Sequence, residues 1–374
     1  MMLGIDGRLA NAEKRAGVGH FCAELLQALP AQLDGASLRI YLDAPPRATF
    51  PLSAEQAELR VLPPGRFWTQ RILGRELRRH PPDVFFSPVT QLPVCCPCPA
   101  IAAVHDLAFF DFGAYFTFRQ RQIARWQARH VARNAAHLVA DSFATQRDLA
   151  QFLGVPASRV TVAHLGCSSR FRRADEAAIR ELRQRHGLPE HFVLYVGRLQ
   201  PRKNLVRLIE AFARLRARRP DLPHHLLMAG DEGWLQGPIY AAAEASTARA
   251  HIRFLGFVPD ADLPALISAA DLLALVSLWE GFGLPVLEAM ACGTAVLTSN
   301  CSSLPEVADD AALMTDPYDV PAMADALERL ITDEDMRLRL SQRGPVQAAR
   351  FTWEHTAQSL LSVARSLHAG TVRT

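Results

Sequence analysis

The sequence predicts an α/β chain of two Rossmann-like, parallel-sheet lobes, on three observations. Short apolar runs alternate with amphipathic stretches along most of the chain, a pattern that calls for parallel strands joined by right-handed helical crossovers. The length of 374 residues exceeds the roughly 250–300 at which single cores stop growing. A charged passage without a strand, Arg170 to Gly187, interrupts the alternation. It divides the chain into lobes 1–170 and 171–352, with a last helical segment, 353–374, expected to pack back on the first lobe.

In the first lobe, Met2 to Asp6 is an apolar run ending at Gly7, and Gly17-Val18-Gly19 opens the amphipathic stretch His20 to Leu29. The spacing Gly-x-Gly-x-x-Cys lacks the third glycine of the dinucleotide fingerprint and a clear acidic partner, so it speaks weakly for NAD. It suits a loop whose backbone approaches a phosphate, or a plain strand-to-helix turn. Strands follow at Leu38–Leu42, Val84–Ser87, Ile101–Val104, His137–Ala140 and Val160–Ala163, with helices at Trp68–Arg79 and from about Arg119 to Ala135. His105-Asp106 closes one strand and Asp141-Ser142 another, where Ser142 is placed to cap the next helix. In parallel sheets, ligands collect at such carboxyl ends.

The second set begins with the strand His191–Val196, followed at once by Gly197-Arg198 and Arg202-Lys203-Asn204, then a helix to about Arg219. Strands His225–Ala229, Ile252–Leu255, Leu272–Val276 and Ala295–Thr298 come next, with helices Leu263–Ala269 and Ala322–Thr332. Between the last two strands lies Trp279 to Gly293. Gly281 and Gly283 mark a tight loop, Pro285 fits the first turn of a helix, and Gly293 fits its left-handed end. Glu280 is thereby placed in the loop and Glu288 about one turn into the helix. A glycine loop before a helix N-terminus is an anion site, because free N–H groups and the helix dipole face the ligand. Arg198, Arg202 and Lys203 stand where a diphosphate would be gripped. Lys203 carries more information than its neighbours, since it and Lys14 are the only lysines among 41 basic residues.

Composition narrows the classes. No run reaches the ~18 apolar residues of a membrane span, and no basic leader with an apolar core opens the chain, so a cytoplasmic enzyme is expected. Seven cysteines, mostly isolated, suit a reducing compartment. Cys95-Cys96-Pro97-Cys98 has no second cluster at zinc-finger spacing, and no metal site is expected there. Residues 1–170 hold 19 Arg/Lys against 13 Asp/Glu, whereas 171–374 hold 22 against 25. Much of the front excess comes from Arg71, Arg75, Arg78, Arg79 and from Arg119, Arg121, Arg125, Arg129 and Arg133 near Phe116, Phe118, Ile123 and Trp126. Such faces either rest on an anionic membrane at its inner side or are simply solvated. No nucleic-acid motif accompanies them.

Taken together, Val196-Gly197-Arg198-Leu-x-Pro-Arg-Lys203-Asn204, Gly230-Asp231, Gly256-Phe-Val, Glu280-Gly-Phe-Gly-Leu-Pro-x-x-Glu288-Ala-Met-Ala-Cys-Gly-Thr and Leu304-Pro-Glu306 resemble the retaining glycosyltransferases of family four with the GT-B fold. Shorter matches at Gly17–Gly19, His105-Asp106-Leu, Ser142 and Gly166 extend the resemblance to the front lobe. The Ile-Asp-Gly-Arg start and His105-Asp106-Leu-Ala-Phe look most like the mannosyltransferase branch that builds surface polysaccharides.

The resemblance implies a nucleotide-diphosphate sugar, a GDP-sugar before a UDP-sugar, bound in a central cleft between the lobes without a metal ion or other cofactor. Arg198 and Lys203 would neutralise the diphosphate as the leaving group departs. Glu288 would meet the ribose, Glu280 the sugar hydroxyls and the positive charge near the anomeric carbon, and His105 the transferred sugar from the other lobe. Gly17 and Gly19 form the phosphate-side loop, and Gly19 would offer its amide. The N–H groups of Phe282, Gly283 and Leu284 would meet sugar and phosphate, and Asp231 contacts ligand or caps a turn. The acceptor is expected to be a lipid-linked saccharide or an oligosaccharide, and transfer to retain configuration, with the departing diphosphate taking the acceptor's proton. Two acids also invite a glycosidase reading, but a hydrolase has no use for the Arg/Lys pair. A nucleotide-sugar isomerase (epimerase) on the same fold and a non-catalytic sugar-nucleotide-binding subunit are the other classes.

Overall fold

The computed structural model describes residues 1–15 and 17–372, the last two by backbone alone. The chain forms two compact units: Met1–Asp111 with Phe118–Gly166 and the chain from Thr352 onward, and Phe112–Thr117 with Cys167–Phe351.

Unit 1 holds a seven-stranded, wholly parallel sheet of β1 (Met2–Asp6), β2 (Ser37–Leu42), β3 (Glu58–Val61), β4 (Val84–Ser87), β5 (Ala100–Val104), β6 (His137–Ala140) and β7 (Val160–Val162). Their order is β3-β2-β1-β4-β5-β6-β7, so the strand order reverses between β1 and β4. Among its helices are α1 (Gly17–Ala28), α2 (Gly74–Arg79, entered through the π-helical turn Thr69–Leu73), α3 (Phe118–Asn134) and α4 (Phe143–Leu153). Every residue of β4 and β5 is buried, as strands covered on both faces must be. The edge strand β3 has no buried residue, which is why its pattern escaped the sequence reading. α4 begins where predicted: Ser142 Oγ accepts the Thr145 N–H at 3.1 Å, and Gly154 ends the helix left-handed at φ +64°.

Unit 2 holds six parallel strands, β8 (Phe192–Val196), β9 (His225–Ala229), β10 (Ile252–Gly256), β11 (Leu272–Leu275), β12 (Ala295–Ser299) and β13 (Leu313–Thr315), ordered β10-β9-β8-β11-β12-β13. Here the reversal falls between β8 and β11. Its helices are α5 (Glu176–His186), α6 (Leu205–Arg218), α7 (Gly237–Ala245), α8 (Leu263–Ala269), α9 (Leu284–Ala291), α10 (Leu304–Ala308), α11 (Val320–Thr332) and α12 (Glu334–Ala348). On α6, Leu205, Leu208, Ile209, Phe212 and Leu215 share one buried face, each worth about 1.5–3 kcal/mol of transfer free energy. α12 runs through Gly344-Pro345, a pair that reads as a break in sequence. The missing side chain is what the packing uses, since a Cβ on Gly344 would lie 2.9 Å from the Met290 carbonyl oxygen of α9.

After unit 2 the chain re-enters unit 1 as α13 (Trp353–Val372), whose Trp353 ring tilts on Phe21 of α1 at 5.9 Å. Gly166, matched above as part of a sugar-transfer motif, has a packing role here. A Cβ on it would sit 2.2 Å from the Trp353 nitrogen. The excursion Phe112–Thr117 belongs to unit 2, where Trp234 Nε1 donates to the Tyr115 carbonyl at 2.5 Å and Phe112 packs on Trp279 at 5.3 Å.

Candidate active site

The reversal between β8 and β11 is where an open parallel sheet leaves a crevice for ligand. Both strands end there in chemistry. β8 leads through Gly197 into a 3-10 turn, Pro201–Lys203, and Asn204 then adopts the left-handed conformation at φ +62° before α6 starts. The Asn204 amide donates to the carbonyls of Val276 at 3.0 Å and Pro317 at 2.7 Å, tying this turn to the end of β11. β11 leads into Ser277 and Glu280.

Those two turns place three charges together. Lys203 Nζ donates to Glu280 Oε1 at 2.5 Å, Ser277 Oγ donates to the same oxygen at 2.6 Å, and Arg202 donates to Oε2 at 3.3 Å and to the Trp279 carbonyl at 2.8 Å. Glu280 is 6% and Lys203 8% exposed. Burial pushes the Glu280 carboxyl up, but the charges of Lys203 and Arg202 and the hydrogen bonds from Lys203 and Ser277 outweigh it and hold the group below its ordinary range. The loop itself is fixed from behind. Glu280 N–H donates to Ser302 Oγ at 3.0 Å, while Ser303 Oγ bridges the carbonyls of Glu280 and Phe282 at 2.9 and 2.8 Å. Gly283 then turns at φ +114°, where a Cβ would also meet Leu304 at 2.8 Å, and Pro285 sits in the first turn of α9. The Gly283 and Leu284 N–H groups at this helix start have no acceptor among the described residues. Phe282 is buried, and Glu288 lies half-buried on the second turn.

The other basic residue differs. Arg198 is exposed, and its side chain has no hydrogen-bond or ionic partner among the described residues. Asp231 is exposed at the end of β9, its carbonyl accepting the Leu199 N–H at 3.0 Å. Gly230 before it has φ +146°, and a Cβ there would lie 2.0 Å from the Gly197 carbonyl oxygen. Gly230→Ala is therefore expected to destabilise unit 2 by more than about 2 kcal/mol, measured as a lowered denaturant midpoint.

In unit 1, β5 ends at His105. Its Nδ1 faces Asp141 Oδ2 at 2.8 Å, Nε2 faces the Pro88 carbonyl at 2.9 Å, and the ring meets Phe21 edge-on at 4.9 Å. A carbonyl only accepts, so Nε2 carries a proton, and the carboxylate favours a second on Nδ1. Burial opposes that charge, but Asp141 by charge and hydrogen bond, the Pro88 carbonyl and Asp106 outweigh it and raise the imidazole to about 9. The side chain is 19% exposed. Sequence reasoning aimed His105 at the sugar; both ring nitrogens are here engaged by protein acceptors. Gly17 and Gly19, expected in a loop ahead of a helix starting at His20, lie inside the first turn of α1. Gly19 is buried there, because a Cβ would press on the Leu9 carbonyl oxygen at 3.2 Å.

The reversal between β1 and β4 carries something the sequence did not announce, a cavity of about 580 Å³ lined by Asp6, Arg8, Asp43, Arg47, Pro88 and Thr90 among others. Arg8 grips Asp6 with two hydrogen bonds, at 3.0 and 2.8 Å, donates to Thr69 Oγ1 at 2.9 Å and lies 4.0 Å over the Trp68 ring. Ser277, Asn204, Asp141 and Ser302/Ser303 were missed as site residues. Asp141, placed at a strand end, and Asn204, closing the Arg202-Lys203-Asn204 run, were in the pattern without a role.

On α3, Phe118, Ile123 and Trp126 are exposed beside Arg119, Arg129 and Arg133. Phe116, expected on the same face, instead packs on Trp234 of unit 2 at 5.6 Å. Arg125 turns inward to donate to the Phe110 carbonyl at 3.0 Å.

Two Rossmann-like sheets, one ending in a buried Lys-Glu-Arg cluster beside a helix start, define a GT-B architecture. The chain belongs to the group 1 glycosyltransferases: the family described as "Glycosyl transferases group 1" matches residues 178–347, and "Glycosyltransferase Family 4" matches residues 15–171. It is 34% identical over 264 residues to the O-antigen chain mannosyltransferase B of Escherichia coli, an alignment covering 70% of this chain and 69% of that protein. It is 33% identical over 223 residues to the serotype-specific mannosyltransferase WbdA of Escherichia coli, covering 59% of this chain but only 27% of that one. Among solved structures, the sucrose-phosphate synthase of Thermosynechococcus elongatus superposes with a TM-score of 0.79 at 18% identity, covering 99% of both chains, a likeness of fold. Among the described residues no helix is long and apolar enough to cross a membrane.

Proposed function

We propose that this glycosyltransferase moves a hexose, mannose or a close relative, from a nucleotide-diphosphate sugar to a lipid-linked or oligosaccharide acceptor in surface-polysaccharide synthesis, with retention and without a metal ion. The observation that carries the reading is the Lys203–Glu280–Arg202 cluster at the β8/β11 reversal, next to the Gly283 and Leu284 N–H groups, which have no acceptor among the described residues. The mannosyltransferase relatives support mannose as the sugar, and with mannose we propose a GDP donor before a UDP donor. Lys203, the exposed Arg198 and the α9 amides take the diphosphate, Glu288 the ribose, and Glu280 the sugar. Glu280 also keeps two cations ordered until the donor arrives, so charge that develops on the leaving oxygen meets donors already in place. Asp231 completes the donor contacts that unit 2 makes, and His105, Gly17 and Gly19 are the front-lobe positions that the family resemblance implies for the donor. The unit 1 cavity, with its Arg8–Asp6 pair, receives the acceptor's hydroxyls.

The test is incubation with GDP-mannose or UDP-glucose, with and without a lipid-linked saccharide acceptor, followed by product analysis by NMR. Intact GDP release together with an α-linked product supports the reading. Sugar converted with no acceptor present points to an isomerase and overturns it. The exposed Phe118, Ile123 and Trp126 among arginines further lead us to place α3 on an anionic membrane surface. Vesicles containing phosphatidylglycerol should sediment the protein, and Trp126→Ser with Ile123→Ser should weaken that at least tenfold.

A further inference from the structure

Three neighbouring strands of unit 2 are each preceded directly by a metal-ligating residue: His191 before β8, His224 before β9 and Asp271 before β11. Because β9, β8 and β11 lie side by side and parallel, their starts converge at the edge of the sheet opposite Lys203 and Glu280. His191 Nδ1 and His224 Nε2 each stand 3.5 Å from Asp271 Oδ2, and all three ligand atoms lie within 4.8 Å of one another. That separation is longer than a good hydrogen bond, and close to the ~3.4 Å between two ligands of a tetrahedral ion with bonds of about 2.1 Å.

The cluster is otherwise hard to account for. Neither imidazole makes a hydrogen bond among the described residues, although His224 is 7% exposed and buried polar groups ordinarily have a partner. The carboxylate, by contrast, is oriented: Phe192 N–H donates to Asp271 Oδ2 at 2.9 Å, the kind of outer contact that aims a metal ligand. His191, with 42% of its side chain exposed, leaves a path from solvent for an ion and for a water as fourth ligand.

We propose that His191, His224 and Asp271 form a binding site for a divalent transition-metal ion of the zinc type, separate from the sugar-transfer site. Two imidazoles and one carboxylate suit Zn²⁺ and its cobalt surrogate, whereas Mg²⁺ and Ca²⁺ take oxygen ligands in larger number. Bound there, the ion ties the starts of three strands together and stabilises unit 2.

The experiment uses the full chain without an affinity tag, with Cys95, Cys96 and Cys98 changed to Ser so that thiols do not capture the ion. Zn²⁺ is titrated in competition with a chromophoric chelator, Co²⁺ is followed by visible absorption, and melting is recorded with and without Zn²⁺. One ion per chain, a tetrahedral cobalt spectrum and a raised melting temperature are expected. His191→Ala, at a half-exposed position that tolerates truncation, should weaken binding at least tenfold, and His224→Gln more, with sugar transfer by His191→Ala unchanged. Should His224→Gln fail to fold, His191→Ala decides alone. Equal affinity in His191→Ala and its parent, or no saturable binding by the parent, overturns the proposal.

Discussion

Changing Glu280 to Gln should lower sugar transfer by about 10²–10³-fold and destabilise unit 2 by about 3–5 kcal/mol. The second figure follows from what remains: Lys203, 8% exposed, loses the carboxylate 2.5 Å away, and Arg202 loses its Oε2 partner. Lys203→Met should cost less, since Glu280 then loses its nearest cation but keeps Arg202 and the Ser277 hydroxyl. The double variant Glu280→Gln with Lys203→Met should fall short of the sum, because neither member of the pair is left facing a missing partner and Arg202 keeps the Trp279 carbonyl. Denaturant midpoints and initial rates for the four proteins check this, and full additivity would mean the two groups act independently. The pH dependence has a definite sign. Glu280 is held below its ordinary value of 4.5, so its contribution is complete above that value and is lost as pH falls through the lowered one. The acid limb of stability should therefore flatten in Glu280→Gln.

The second large effect belongs to His105. Its imidazole is raised from 6.5 to about 9, a difference worth about 3 kcal/mol to unit 1. That contribution is complete below pH 6.5 and disappears as pH rises through about 9. Asp141→Asn removes the main source of the shift, and the histidine's NMR titration should fall by about two units or more. Melting of the parent should drop between neutral pH and about pH 10, and that drop should be lost in Asp141→Asn. An unmoved His105 titration in the variant would contradict the pairing seen here.

Where one residue's neighbours along the chain decided the outcome, the sequence was readable. The Ser142 cap, the Pro285 helix start, the left-handed Gly293 at φ +66° and the alternation of strands all rest on local rules. So does the placement of Lys203 after β8 and of Glu280 after β11. What the pattern could not give was contact across strand order. Lys203 and Glu280 are 77 positions apart and become partners only because β8 and β11 are neighbours in the sheet, and His105 meets Asp141 for the same reason across β5 and β6. Gly344-Pro345 and Gly166 show the converse. Both look like punctuation or motif in one dimension, and both turn out to be places where a second backbone needs the room.

The close approach of Trp353 to Gly166 also sets an order of events during synthesis. The Thr356 hydroxyl reaches the His164 carbonyl across 192 residues, and Trp353 reaches Phe21, so α1 meets its partner helix only after unit 2 has been made. At about 5–20 residues per second that interval is on the order of tens of seconds. The intervening unit 2 has time to fold first, while the front unit still lacks the helix that covers α1.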